Sequence, residues 1–137
     1  MIIIGLGLMT QAPRKVMNSF DQKYSRAECI SWSFVDDHYH ASFEHFGQQK
    51  IAVFRYNGEW LKTLVILEPK ELMFCIRDYI KHTYKDATVG NVFYVITPEI
   101  CEYHIYLKRG EGEDVCLEED PLIFDENCEF LRKPDKP

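Results

Sequence analysis

Asp36, Asp37, His38, His40, Glu44 and His45 form the densest group of side chains able to bind a metal or move a proton. Imidazole nitrogens and carboxylate oxygens ligate zinc, and side chains two apart in a strand project to the same side, which puts His38 and His40 together. His45 falls on the other side by parity, and a closed structural site takes four ligands. The segment therefore predicts solvent-facing histidines and no metal. Asp36 and Asp37 are adjacent and diverge, unlike the facing carboxylates of a hydrolase. Short acidic side chains there predict a turn, because they bond nearby backbone N–H groups. His104 repeats the setting of His40 further along the chain. Either could act as a base in a small cystatin-like α+β enzyme, or belong to a pocket that carries a ligand or metal. No G-x-S-x-G, glycine-rich phosphate loop, H-E-x-x-H or protease-like Cys/His arrangement accompanies them. The residues predict neither a catalytic site nor a cofactor.

The five cysteines, Cys29, Cys75, Cys101, Cys116 and Cys128, contain no C-x-x-C pair. An odd count cannot close entirely into internal disulfides. Cys75 sits between Phe74 and Ile76 in a helical pattern, where a thiol behaves as a small hydrophobe. Buried free thiols are expected, and they leave the redox compartment open.

The elements that position these groups must come from a chain of 137 residues, 46% hydrophobic and 14% aromatic, ample for one packed core. A net charge of -6 opposes a nucleic-acid partner, which needs a basic surface to displace counterions. The acidic excess gathers between Glu111 and Glu129 without the ligand order of an EF-hand, and predicts a solvated face. Met1 to Met9 is uninterrupted and apolar, but reaches only half of the roughly 20 residues a membrane-crossing helix needs. No membrane span is predicted. Residues 1–11 read as a leader or a truncated secretory signal ahead of Gln11-Ala12-Pro13.

Pro13 followed by Val16, Met17, Phe20 and Tyr24 predicts an amphipathic helix with proline in its first turn. From Ile30 the period becomes two: Ile30, Trp32 and Phe34, then Tyr39, Ala41 and Phe43, then strands at Ile51–Phe54 and Trp60–Leu67. The last two are joined through Asn57-Gly58, a pair favoured in type I′ hairpins. A second helix from Pro69 to about Lys85 carries Leu72, Met73, Ile76, Ile80 and Tyr84 in one stripe. Strands follow near 89–97, 101–109, 113–124 (interrupted at Asp120-Pro121) and 129–132.

Residues match between the halves in order. Tyr24-Ser25-Arg26-Ala27 matches Tyr84-Lys85-Asp86-Ala87, Tyr39-His40 matches Tyr103-His104, and Phe54, Asn57, Glu59, Trp60, Leu61 and Lys62 match Phe124, Asn127, Glu129, Phe130, Leu131 and Arg132. The chain reads as a tandem duplication of an α-β-β-β-β unit over residues 12–67 and 68–133, with a tail at 134–137.

The paired order of proline-started helix, Trp strand, Tyr-His-Ala-Ser-Phe strand and Phe54-Arg-Tyr-Asn-Gly-Glu-Trp-Leu hairpin resembles the PepSY-like, beta-lactamase-inhibitor-like family of small exported proteins of Bacteroides-type bacteria. The resemblance implies an α+β fold, an antiparallel sheet with both helices on one face. It also implies a periplasmic or exported location and non-catalytic protein binding. Cys128 stands where the first copy has Gly58, and a side chain resists positive φ, so the second hairpin is expected to use another turn.

By parity, Trp32, Phe34, Tyr39, Ala41 and Phe43 face the helices and His38, His40, Ser42 and Glu44 face away. In the second copy Tyr103, Ile105 and Leu107 face in, and His104 and Tyr106 face out. Trp60 and Leu61 put apolar groups on both faces. His38, His40, Ser42, Glu44, Trp60, His104 and Tyr106 are therefore the candidate residues of an inhibitor-like surface for an unidentified protein or peptide.

Overall fold

A computed structural model describes residues 8–9, 11–110, 116–118 and 120–132. The fold is α+β, with two α-helices and antiparallel strand pairing among the described residues. Its described residues divide into unit 1, within Met1–Val65 and Ile96–Glu99, and unit 2, within Ile66–Val95 and Ile100–Pro137.

In unit 1, helix α1 (Arg14–Lys23) begins behind Pro13, whose carbonyl accepts the Met17 N–H at 2.9 Å. Val16 and Phe20 recur on one face of the helix and are buried, as its period requires. Strands β1 (Leu8–Met9), β2 (Glu28–Val35), β3 (His38–His45), β4 (Gln48–Phe54) and β5 (Trp60–Leu67) pair in chain order. Trp32, Ala41, Phe43, Ala52 and Phe54 meet α1 in a closed cluster, because alternate strand residues share a side. Leu8 pairs with Ser33, so the segment expected to be a leader contributes an edge strand. Residues 1–7 and 10 of that segment lie outside the described residues.

The turns explain the strand breaks. Asp36 and Asp37 have φ of 51° and 65°, and Phe46 and Gly47 have 50° and 80°. Left-handed backbone at both central residues is the two-residue hairpin geometry that follows strand twist. The expectation of a type I′ turn at Asn57-Gly58 is corrected, since only Gly58 there has positive φ. Phe54 pairs with Trp60 whereas Val53 pairs with Lys62, so β5 carries one extra residue. The extra residue is Leu61, a β-bulge between Trp60 and Lys62.

In unit 2 the single helix expected from Pro69 is corrected to two pieces. A 3₁₀ turn (Pro69–Glu71) precedes α2 (Phe74–Thr83). Glu68 and Glu71 form a reciprocal capping box that closes the short turn. Leu72 and Met73 then adopt extended backbone, and Leu72 is buried. Strands β6 (Ala87–Ile96), β7 (Cys101–Arg109), β8 (Cys116–Leu117), β9 (Leu122–Phe124) and β10 (Phe130–Arg132) follow. Both β8 and β9 pair with β7, so the interrupted third strand is two strands on one neighbour. Residues 113–115 and 119 of that expected strand, and the tail at 134–137, lie outside the described residues. Ile76 and Ile80 pack on Val92, Ile105, Leu107, Leu122 and Phe124.

Two expectations about cysteine are overturned. Cys75 and Cys128 form a disulfide, Cα to Cα 6.0 Å, while Cys29 and Cys116 are exposed and Cys101 is half-buried. Cys128 also adopts φ of 67° in the same turn that Gly58 closes in unit 1. Its sulfur is bonded to Cys75 of α2, which joins this turn to the helix.

Candidate docking face

Strand register builds the helix-free side of unit 1 as rows. Ser33, His40, Val53 and Lys62 are successive partners across β2, β3, β4 and β5, and Ser31, Ser42, Ile51 and Leu64 form the row beside them. Their immediate neighbours Ala41, Ala52 and Phe54 belong to the α1 cluster, so these rows occupy the opposite side. His38, His40, Ser42 and Glu44 are all half-buried and follow one another at alternate positions of β3. Glu44 pairs with Glu28 on one side and Gln49 on the other.

Trp60 is placed apart from these four. Its ring packs against the α1 cluster, its Nε1–H donates to Thr63 Oγ1 at 2.9 Å, and Lys23 Nζ lies 3.7 Å from the ring centroid. The buried Tyr24 hydroxyl shares Thr63 Oγ1 at 2.6 Å, which makes Thr63 a common partner of helix and strand. Burial of Tyr24 raises its phenol pKa above the ordinary value despite that bond. A cation over an indole face and a satisfied N–H are the features of a side chain fixed in a framework.

In unit 2 His104 and Ile123 are register partners, and Ile123 in turn pairs with Arg132. His104 Nε2 lies 3.1 Å from Glu102 Oε1, on the same side of β7 two residues earlier. Tyr106 continues that side, with its ring 6.0 Å from Phe93 and nearly perpendicular to it. Sequence reasoning missed Val53 and Ile123, which are only 2% and 3% exposed although they lie on the sides away from the helices. The signal was available: both fall in the outward register of a histidine, His40 and His104. Among the described residues no group of three or more His, Cys, Asp or Glu is arranged to hold a metal ion.

Burial, then the charges of Lys62 and His38, lower the pKa of His40 from 6.5, with Asp36 opposing them. The folded chain therefore holds this imidazole neutral where the unfolded chain protonates it, and stability is lost as pH falls through the unfolded value. Between about pH 7.5 and about pH 5.5, His40→Asn should lose less thermal stability than the parent. Matched melting curves at the two pH values check this, and parallel losses in both proteins would contradict it. His45, lowered by burial and Lys50, is common to both proteins and cancels.

No protein-family model matches this chain, and no curated protein sequence matches it. Among solved structures, a BLIP-like protein from Bacteroides fragilis superposes with a TM-score of 0.74 at 20% identity, covering 93% of this chain and 88% of that one. This chain is similar in fold to the BLIP-like proteins. A DUF2874 family protein from Bacteroides ovatus gives 0.74 at 24% identity, with 92% and 89% covered. A protein assigned provisionally to the periplasm of Bacteroides eggerthii gives 0.71 at 22%, with 90% and 88% covered. The α+β antiparallel architecture expected from the residues is the one that these BLIP-like neighbours share. Among the described residues no helix is long and apolar enough to cross a membrane.

Proposed function

We propose that this chain is a non-catalytic, exported protein-binding module of inhibitor-like type, kin to the PepSY-like proteins, which holds a protein or peptide on its helix-free strand faces. The observation that carries the reading is the recurrence of a half-buried histidine beside a buried aliphatic residue, His40 with Val53 and His104 with Ile123. Val53 and Ile123 are themselves buried, so the accessible part of each face is the half-buried row of histidine, serine, glutamate and tyrosine side chains, whose polar groups can donate and accept hydrogen bonds to a partner. His38, Ser42, Glu44 and Tyr106 extend it, and Trp60 supports it from the helix side.

Duplication of the unit over residues 12–67 and 68–133 belongs to the same reading. It is supported by matching helix ends. Tyr24 N donates to Phe20 O at 2.8 Å and Ala27 N to Tyr24 O at 3.1 Å, while Tyr84 N donates to Ile80 O at 2.8 Å and Ala87 N to Tyr84 O at 3.1 Å. Export is supported by the periplasmic description of the Bacteroides eggerthii neighbour and by the Cys75–Cys128 disulfide, since such bonds persist in oxidising compartments.

Among the described residues the Glu102–His104 pair is the arrangement that favours the alternative, a small enzyme using histidine as base. Glu102 is buried and His104 half-buried on β7, and a groove of about 330 Å³ beside α1, lined by Gln11, Ala12, Arg14, Met17, Asn18 and Asp21, contains no histidine. The test is capture from a native envelope extract using His40→Glu combined with His104→Gln, with folding checked by circular dichroism. Retention of the partner should fall about tenfold or more, as for hot-spot residues. Retention equal to that of the parent chain would remove this face from the proposal.

A further inference from the structure

Gly58 and Cys128 close turns with the same hydrogen bonds. Gly58 N donates to Arg55 O at 2.9 Å and Arg55 N to Glu59 O at 2.9 Å, whereas Cys128 N donates to Asp125 O at 3.2 Å and Asp125 N to Glu129 O at 2.9 Å. Both residues are left-handed, with φ of 94° and 67°. What differs is how each turn is held to its helix. In unit 1 the turn lies directly on α1, where a Cβ at Gly58 would stand 2.8 Å from Lys15 O and 2.9 Å from Ser19 Oγ. In unit 2 the residue at that position carries a side chain, and its sulfur is joined to Cys75 of α2. Cys75 stands 60 positions after Lys15, the same step that separates Tyr84 from Tyr24. One junction is closed by backbone packing and the other by a covalent bond.

We infer that Cys75–Cys128 is a redox-sensitive clamp on unit 2, securing the β9–β10 turn to α2 when oxidised and releasing it when reduced. Left-handed backbone is disfavoured for any residue with a Cβ, so the reduced turn is biased to relax. The bond opposes that bias, and its Cα separation of 6.0 Å is ordinary for a native bridge. It also links residues 53 apart in sequence, which restricts the unfolded chain. The ring contacts beside the turn depend on the same closure. Tyr79 of α2 stacks on Phe130 at 5.5 Å and meets the edge of Phe124 at 5.5 Å, so a released turn loosens Phe130 from the helix.

Closing the clamp converts two thiols to one disulfide, with loss of two protons and two electrons. A disulfide oxidant accepts the electrons. One cysteine thiolate attacks it and expels a first thiolate, and the second cysteine then displaces the other from the mixed disulfide. Oxidised glutathione is the probe, and each clamp closed yields two reduced glutathiones.

The full chain, refolded with oxidised glutathione in an excess of reduced glutathione that reverses mixed disulfides on unpaired cysteines, then unfolded and treated with iodoacetamide, should take the label at Cys29, Cys101 and Cys116 only. Its peptide map should contain Cys75 linked to Cys128. Dithiothreitol should make all five cysteines reactive, lower Tm by about 10 °C, and speed hydrogen exchange in the β9–β10 turn. Cys75→Ser should start at the lower Tm and not respond to dithiothreitol. Cys128→Gly should lie between, because it loses the bond but regains the left-handed turn. Pairing of Cys75 or Cys128 with any other cysteine would overturn the inference, as would oxidised and reduced chains with equal Tm and equal exchange. Should Cys75→Ser fail to fold, dithiothreitol titration of the parent chain reads the same outcome.

Discussion

Phe20→Ala is expected to destabilise the chain by about 3–5 kcal/mol, the range for removing a buried phenylalanine. Phe20 is 1% exposed, and its ring centroid lies 4.9 Å from Phe43, 5.4 Å from Trp32, 5.9 Å from Tyr24 and 6.2 Å from Phe54. Three of these contacts are edge-on, so the truncation forfeits directed ring–ring attraction as well as buried area. The four partners come from the helix and three strands, and no single neighbour can collapse into the space without leaving its own contacts. A residual cavity adds to the transfer cost. Both tryptophans, Trp32 and Trp60, lie beside this cluster, so urea denaturation followed by tryptophan fluorescence reports the loss directly. A shift in free energy below about 1 kcal/mol would mean that the ring is not the keystone of unit 1.

That aromatic cluster was legible in the residues because two periods agree on it. The helical spacing of Val16 and Phe20 and the alternation of Trp32, Ala41 and Phe43 each select one side, and a one-residue slip would bury His40 in place of Ala41. The outward placement of His38, His40, Ser42 and Glu44 follows from the same parity. Trp60 was not legible in this way. Its side depends on the extra residue in β5 between the partners of Phe54 and Val53, and a bulge has no period to read. Val53 escaped notice for a different reason. An aliphatic residue between Ala52 and Phe54 reads as core, yet it is buried on the other side, beside His40. The disulfide required knowing that Cys128 tolerates a glycine's backbone, information held in the α2 contact and absent from local sequence.

Gly58→Ala separates two physical effects that share one residue. A Cβ at φ of 94° meets the left-handed penalty of about 1 kcal/mol. It also falls 2.8 Å from the Lys15 carbonyl, a backbone atom that can recede only if the first turns of α1 move with it. Overpacking of this kind costs about 1–3 kcal/mol, so the total loss should be about 2–4 kcal/mol. Gly47→Ala supplies the comparison, because its φ is 80° and a Cβ there has nothing within 4 Å. That substitution should cost only the backbone part, about 1 kcal/mol. Urea midpoints for the two variants, read with equal slopes, give the difference as the energy of seating the turn on the helix. Equal losses would mean that the β4–β5 turn stands off from α1, and that the disulfide of unit 2 spans a gap which unit 1 leaves open as well.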